Sequence, residues 1–273
     1  MATVRANGID IYYEVHGAGE PLLLIMGLGA NATAWEMQIT ELRRHFQIIA
    51  YDNRGAGRSD KPNEPYSMVQ MAEDAAGLLD ALGIASAHVF GMSMGGMIAQ
   101  EFVLRHPDRV QSLILGATLA GGPGVIMAAP QLMRQWVSLA TMPPAPAVEA
   151  GLTFLYSDEF LEQHRESLVG RALQTMHLMP PPYALQRQAM AVIGFNAYDR
   201  LQEIRAPTLI LTGTDDKIVP AENSRVLARR IPGAALVEFP GAGHGFLVEK
   251  AHETNAAVLE FLRAHGGPSA GPK

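Results

Sequence analysis

Ala87-His88-Val89-Phe90-Gly91-Met92-Ser93-Met94-Gly95-Gly96-Met97-Ile98-Ala99 is the stretch on which the reading of this chain turns. Its first four residues are an apolar run with the length of a short buried strand. Met94 to Arg105 reads as a helix, so Ser93 falls on the turn between the two. A serine centred in Gly91-Met92-Ser93-Met94-Gly95 is a short pattern that decides little alone. Strand, sharp turn and helix around it make Ser93 a candidate nucleophile. The glycines have a steric reason, because a side chain held on a strained strand-to-helix turn needs neighbours without Cβ atoms. The plainer alternative is a serine capping a helix on a glycine-rich turn.

Upstream, Pro21 to Met26 is an uninterrupted apolar run, as expected of a central strand covered on both faces, and it ends on Gly27-Leu28-Gly29-Ala30-Asn31. Residues 2–6 and 9–16 read as strands joined by Asn7-Gly8, the dipeptide suited to a tight hairpin, so the sheet opens antiparallel. A helix over about 35–45 and a strand over 46–51 lead to the glycine-rich loop Asp52 to Asp60. Ser67 to Gln70 then has capping-box spacing ahead of a helix that runs to Leu82.

Downstream, the helix after Ser93 stops near His106-Pro107, and 110–115 is the next strand. Strand and helix alternate, which implies parallel pairing, right-handed crossovers and helices on both sheet faces. From about 120 to 197 the alternation fails. That stretch is helical in pattern, rich in Met, Leu and Ala, and interrupted by Pro143-Pro144 and Pro180-Pro181-Pro182. The rhythm resumes with a strand at 207–213, a helix over about 221–230, a strand at 235–239, the loop 241–245 and a helix over 246–265. The expected architecture is α/β: a mostly parallel eight-stranded sheet formed by residues 1–119 and 198–265. A helical cap spans 120–197, and a flexible tail spans 266–273.

Composition bounds the function. The 273 residues are 48% apolar and 18% charged, which suits a globule with a sizeable core. A net charge of -6 gives no basic surface for nucleic acid or anionic membrane. With no cysteine, thiolate nucleophiles, disulfides and cysteine-bound zinc are excluded. No H-E-x-x-H or H-x-H-x-D-H spacing occurs, so neither a metal nor another cofactor is expected. The first residues lack the apolar core of a signal peptide and no run is long enough to span a bilayer, so a cytoplasmic protein is expected.

A serine hydroxyl needs a base, and the base needs an acid to fix its tautomer. Asp215 and Asp216 follow the strand at 207–213, and His244 lies between glycines after the strand at 235–239. In a parallel sheet the loops beyond the carboxyl ends of the strands share one crevice. The plain alternatives are turn or capping roles for the aspartates and a solvated surface histidine. An oxyanion also needs donors: Met94 N–H, which begins the helix without an intrahelical acceptor, and Leu28 N–H in the glycine turn. Methionines gather near Ser93 and in the cap, suiting an adaptable apolar pocket or simply a core. Met26, Met92, Trp136 and Phe154 are the pocket candidates.

From end to end the chain resembles an α/β-hydrolase. The resemblance rests on the turn at 27–29, Asp52-x-Arg54-Gly55-x-Gly57-x-Ser59, Gly91-Met92-Ser93-Met94-Gly95-Gly96, Gly213-Thr214-Asp215-Asp216-x-x-Val219-Pro220 and Gly243-His244, in that order. It implies the fold named above and a catalytic set of Ser93, Asp216 and His244, with the acid at the fourth position of G-x-x-D. Within the superfamily it is similar to small esterases, enol-lactonases and acyl-homoserine-lactone lactonases that use no metal. One departure is Met26-Gly27 where many relatives have His-Gly, which bears on the Leu28 donor. Asp52 and Arg54 are expected to tie down loops. The expected function is a serine hydrolase of carboxylic esters or lactones acting on a small molecule. The alternatives are perhydrolysis or carbon–carbon hydrolysis on the same residues, or a slow-turnover ligand receptor of this fold.

Overall fold

Pro21–Ile25 (β3) sends its side chains alternately into two separate cores, which is why it is apolar at every position. The computed structural model describes residues 2–138 and 142–266; the side chains of Met133, Trp136, Val137 and Pro144 fall outside that description. The other strands are β1 (Ala2–Ala6), β2 (Ile9–His16), β4 (Gln47–Tyr51), β5 (Ala87–Met92), β6 (Val110–Gly116), β7 (Thr208–Gly213) and β8 (Ala235–Phe239). They form one sheet in the order β1-β2-β4-β3-β5-β6-β7-β8. β1 and β2 pair antiparallel, as do β2 and β4, and every later pair is parallel. Asn7 and Gly8 take φ values of 45° and 80°, the left-handed pair that the hairpin turn requires.

Leu23, Ile25, Ile49, Val89, Leu113 and Ile210 face one side of the sheet. There they meet α2 (Met68–Ala81), α3 (Met94–Arg105) and α8 (Glu222–Arg230) through Leu78, Leu79, Ile98, Phe102 and Leu227. Leu22, Leu24, Ile48, Phe90, Ile114 and Leu211 face the other side. They pack on α1 (Glu36–Leu42), α9 (Phe246–Glu249) and α10 (Ala251–His265) through Ile39, Leu42, Phe246, Val258 and Leu262.

Between β6 and β7 the chain forms α4 (Pro130–Ser138), α5 (Pro144–Leu155), α6 (Asp158–Thr175) and α7 (Pro182–Ile193). Pro144 and Pro182 begin helices, the position where a missing N–H costs nothing. An antiparallel bridge between Gly121 and Asn196 and the Ala197 N–H to Ala120 O bond at 2.8 Å join the two ends of the insertion.

Three local expectations need correction. The helix expected over 35–45 opens as a 3₁₀ turn at Ala32–Trp35, started by Asn31, whose side chain accepts from Thr33 N. The helix expected over 246–265 breaks at Lys250, which sits at φ -124° and ψ 44°. The capping box is half-formed. Ser67 accepts from Gln70 N at 3.1 Å, while the Gln70 amide turns to Glu64 instead of back to residue 67. Ser67→Ala is therefore expected to cost about 1 kcal/mol, read as a lowered midpoint in urea with an unchanged slope.

Of the expected tail, residues 267–273 lie outside the described residues. Among those described, no helix is long and apolar enough to cross a membrane.

Candidate active site

The chain runs from β3 outward to β4 on one side and returns to β5 on the other, so β3 and β5 bound the point where strand order reverses. In an open α/β sheet the crevice at the carboxyl ends of such a pair is where ligands bind. The turn at 27–29 and Ser93 stand there, one after each strand.

Ser93 has φ 56° and ψ -121°, a conformation that a non-glycine residue holds only when its surroundings impose it. They do so on both sides. Its N–H donates to Gly116 O at 2.8 Å, and its carbonyl accepts from Thr118 Oγ1 at 2.7 Å and Gly96 N at 2.9 Å. The glycines around it are sites of close approach. A Cβ on Gly91 would lie 2.3 Å from Gly95 O, and one on Gly95 would lie 2.0 Å from Ile25 O, both backbone atoms. Gly95→Ala thus cannot be absorbed by turning a side chain. It is expected to destabilise by about 3 kcal/mol or more. The check is a thermal melt, with the midpoint falling by roughly 6 °C or more.

The loops after β7 and β8 are stitched together by Thr214 N to Phe239 O at 3.1 Å and Asp215 N to Ala242 O at 2.9 Å. This brings Asp216 and His244 into contact, Nδ1 of the ring lying 2.7 Å from Oδ2 of the carboxylate. The other oxygen, Oδ1, accepts from Ile218 N and Val219 N, both at 2.8 Å. Asp216 is 6% and His244 7% exposed, so the pair is shielded from water. Asp215 points elsewhere and accepts from Thr214 Oγ1. The third link is not closed. Among the described residues the partly exposed Ser93 hydroxyl has no hydrogen-bond partner. In unliganded sites such bonds are often long and tighten around substrate.

Two backbone amides beside Ser93 are also without acceptors among the described residues, those of Met94 and Leu28. The glycine turn abuts the serine, since a Cβ on Gly27 would stand 3.0 Å from Ser93 Cβ. Three other backbone groups at the turn are engaged. Met26 O accepts from Asn53 Nδ2 at 2.7 Å, Gly27 O from Ala30 N at 3.3 Å, and Gly29 N donates to Gln188 Oε1 at 2.9 Å.

Asp52 and Arg54 tie loops together. Asp52 accepts from Ala32 N at 2.8 Å and from Arg58 N and Nε, both at 2.8 Å. Arg54, 1% exposed, pairs with Asp74 through Nε and Nη2. Burial raises the Asp74 pKa, and the guanidinium opposes the rise.

The pocket candidates are placed as follows. Met26 and Met92 are 6% and 4% exposed and lie in the core with Leu24, Phe90 and Phe246. Packing accounts for both. Phe154, on α5, is buried. Trp136 lies on α4, and its side chain is outside the described residues.

Sequence reading missed the residues that hold the histidine loop. Glu249 accepts from Gly243 N at 3.0 Å and from the backbone N–H and hydroxyl of Ser157, the residue that caps α6. Gly245 N donates to Leu155 O at 2.6 Å. The Tyr156 ring packs so closely that a Cβ on Gly245 would come within 2.4 Å of it. Burial pushes the Tyr156 phenol up to about 12, with Arg171 opposing and Glu249 adding, so the ring stays neutral. Lys217, the residue after Asp216, turns its Nζ to Thr153 O and Asp158 at 3.2 Å each. Apart from the Gly243–Glu249 bond, which spans six residues, no spacing rule announces these contacts, because they join the core to the insertion across a long stretch of chain. Among the described residues no group of three His, Asp or Glu side chains is placed to hold a metal ion.

A family profile described as alpha/beta hydrolase fold matches residues 20–251. The "Putative carbamate hydrolase RutD" of Azorhizobium caulinodans is 35% identical over 261 residues, covering 96% of this chain and 98% of that protein. Among solved structures, the enol-lactonase from Burkholderia xenovorans LB400 superposes with a TM-score of 0.84 at 28% identity, covering 96% of this chain and all of that one. A thermophilic esterase from Thermogutta terrifontis superposes with a TM-score of 0.84 at 29% identity, covering 98% of this chain and all of that one.

Proposed function

This chain belongs to the α/β-hydrolase family, and from that premise we propose that it is a serine hydrolase whose nucleophile is Ser93, whose base is His244 and whose acid is Asp216. The observation that carries the reading is the buried 2.7 Å contact between His244 Nδ1 and Asp216 Oδ2, at the same sheet edge as the strained Ser93 turn. A carboxylate at Nδ1 holds the ring proton there and leaves Nε2 as the lone pair that accepts a proton.

His244 Nε2 takes the Ser93 hydroxyl proton as Oγ adds to the substrate carbonyl. The negative charge that develops on the carbonyl oxygen is met by Met94 N–H and Leu28 N–H. His244 then passes its proton to the departing oxygen, the carbonyl–oxygen bond breaks, and the acyl group remains on Ser93. Water, deprotonated by His244, adds to the acyl-enzyme. Ser93 leaves with the proton and the acid is released. In a lactone the departing alcohol stays tethered to the acyl group.

The substrates proposed are carboxylic esters and lactones, in keeping with the esterase and enol-lactonase that share the fold. A second reading, carbamates, is favoured by the relative at 35% identity. The same steps serve it, with nitrogen as the departing atom when His244 protonates it. Residues 120–197 are proposed to be the cap that selects among these. A panel of short and long p-nitrophenyl esters, simple lactones, acyl-homoserine lactones and aryl carbamates separates the readings by relative kcat/KM, with acid release followed at constant pH. Turnover of carbamates alone would overturn the ester and lactone reading.

A further inference from the structure

We propose that Gln188, on α7 of the insertion, is a positioning residue that holds the turn bearing the Leu28 donor in its working conformation. The inference rests on the reading of Leu28 N–H as an oxyanion donor. Gln188 is fully buried, and both ends of its amide are used: Oε1 accepts from Gly29 N at 2.9 Å and Nε2 donates to Arg54 O at 2.8 Å. These partners force the orientation of the amide, because an N–H can only donate and a carbonyl can only accept.

The consequence for the turn follows from its own geometry. Gly29 has φ 70°, a left-handed conformation that glycine adopts without favouring it over others, so the residue does not hold itself there. Met26 O and Gly27 O are secured from within the core domain by Asn53 and Ala30. The Gly29 N–H, on the far side of Leu28, is secured only by Gln188 among the described residues. Leu185, also on α7, closes over the same point, its Cδ1 lying 3.0 Å from where a Gly29 Cβ would be. The Arg54 carbonyl at the other end of the amide is main chain, and the side chain of the same residue is locked to Asp74, so the anchor is itself held. An oxyanion donor must be aimed before reaction, and a displacement of an ångström is costly. The insertion would therefore contribute to rate as well as to substrate selection.

Gln188 sits four residues after Ala184 and three before Ala191, the other buried positions of α7, so it occupies the inward face of the helix. Bonding at both ends of the amide offsets the cost of burying it there.

The test uses Gln188→Met and Gln188→Leu in the full-length enzyme, with near-ultraviolet circular dichroism and a thermal melt confirming that each folds. Methionine keeps the length and bulk of glutamine and removes only the polar bonds. The expected result is a kcat lowered roughly 10–100-fold with KM changed by less than about threefold. Affinity for a trifluoromethyl ketone, whose adduct carries the oxyanion, should fall by a similar factor. A kcat loss without a matching loss of ketone affinity, or a wild-type kcat in folded Gln188→Met, overturns the proposal. Ser93→Ala is assayed alongside. If it remains active, the nucleophile reading fails; if it is inactive while Gln188→Met turns over normally, only the positioning role fails.

Discussion

Ser93→Ala is expected to lower kcat by roughly 10⁴–10⁶-fold while leaving the fold intact. The size follows from what the substitution removes. The backbone of residue 93 is held by Gly116 O, Thr118 Oγ1 and Gly96 N, none of which involves the side chain. The hydroxyl has no partner among the described residues. Alanine therefore deletes the proposed attacking atom and little else, and a change within about 0.5 kcal/mol in unfolding free energy is expected. Some acceleration over water should survive, because the two proposed donor amides and the crevice remain. The measurement is kcat on the best substrate from the panel, with a urea melt of the same preparation.

Asp216→Asn is expected to cost about 10⁴-fold in kcat. Asparagine keeps a carbonyl oxygen for the Ile218 and Val219 amides, so the loop has no reason to unfold. What changes is the atom facing His244. An NH₂ group opposite Nδ1 favours the tautomer with its proton on Nε2, which presents Ser93 with a donor where a proton acceptor is required. Asp215→Asn is the control. Among the described residues its carboxylate accepts only from the neighbouring Thr214 hydroxyl, so kcat within about threefold of wild type is expected. The reverse ranking of the two variants would move the acid to Asp215.

Much of the fold was legible because both faces of the sheet are buried. β3 shows this as a continuous apolar run, and the alternation of strands and helices shows the parallel order. The same periodicity could have placed Met26 and Met92 in the core. Met26 shares a face with Leu22 and Leu24, and Met92 shares one with Phe90. The break at Lys250 was not legible, since Glu249-Lys250-Ala251 contains no proline or glycine. The Glu249 carboxylate is instead committed to Gly243 and Ser157, contacts that exist only in the folded chain. The site divides in the same way. Ser93, Asp216 and His244 stand in local motifs after strands, whereas Gln188 meets Gly29 and Arg54, and Ser157 meets Glu249, across long stretches of sequence. A helical pattern marks a polar residue on the inward face without saying what it meets.

If Ser93 accepts the acyl group, the acyl-enzyme can be trapped on it. The enzyme is mixed with a p-nitrophenyl ester, quenched in acid during turnover, digested and located by peptide mass spectrometry. An acyl adduct is expected on the peptide containing Ser93 and absent from Ser93→Ala. An adduct on another residue, or full turnover by Ser93→Ala, would contradict it.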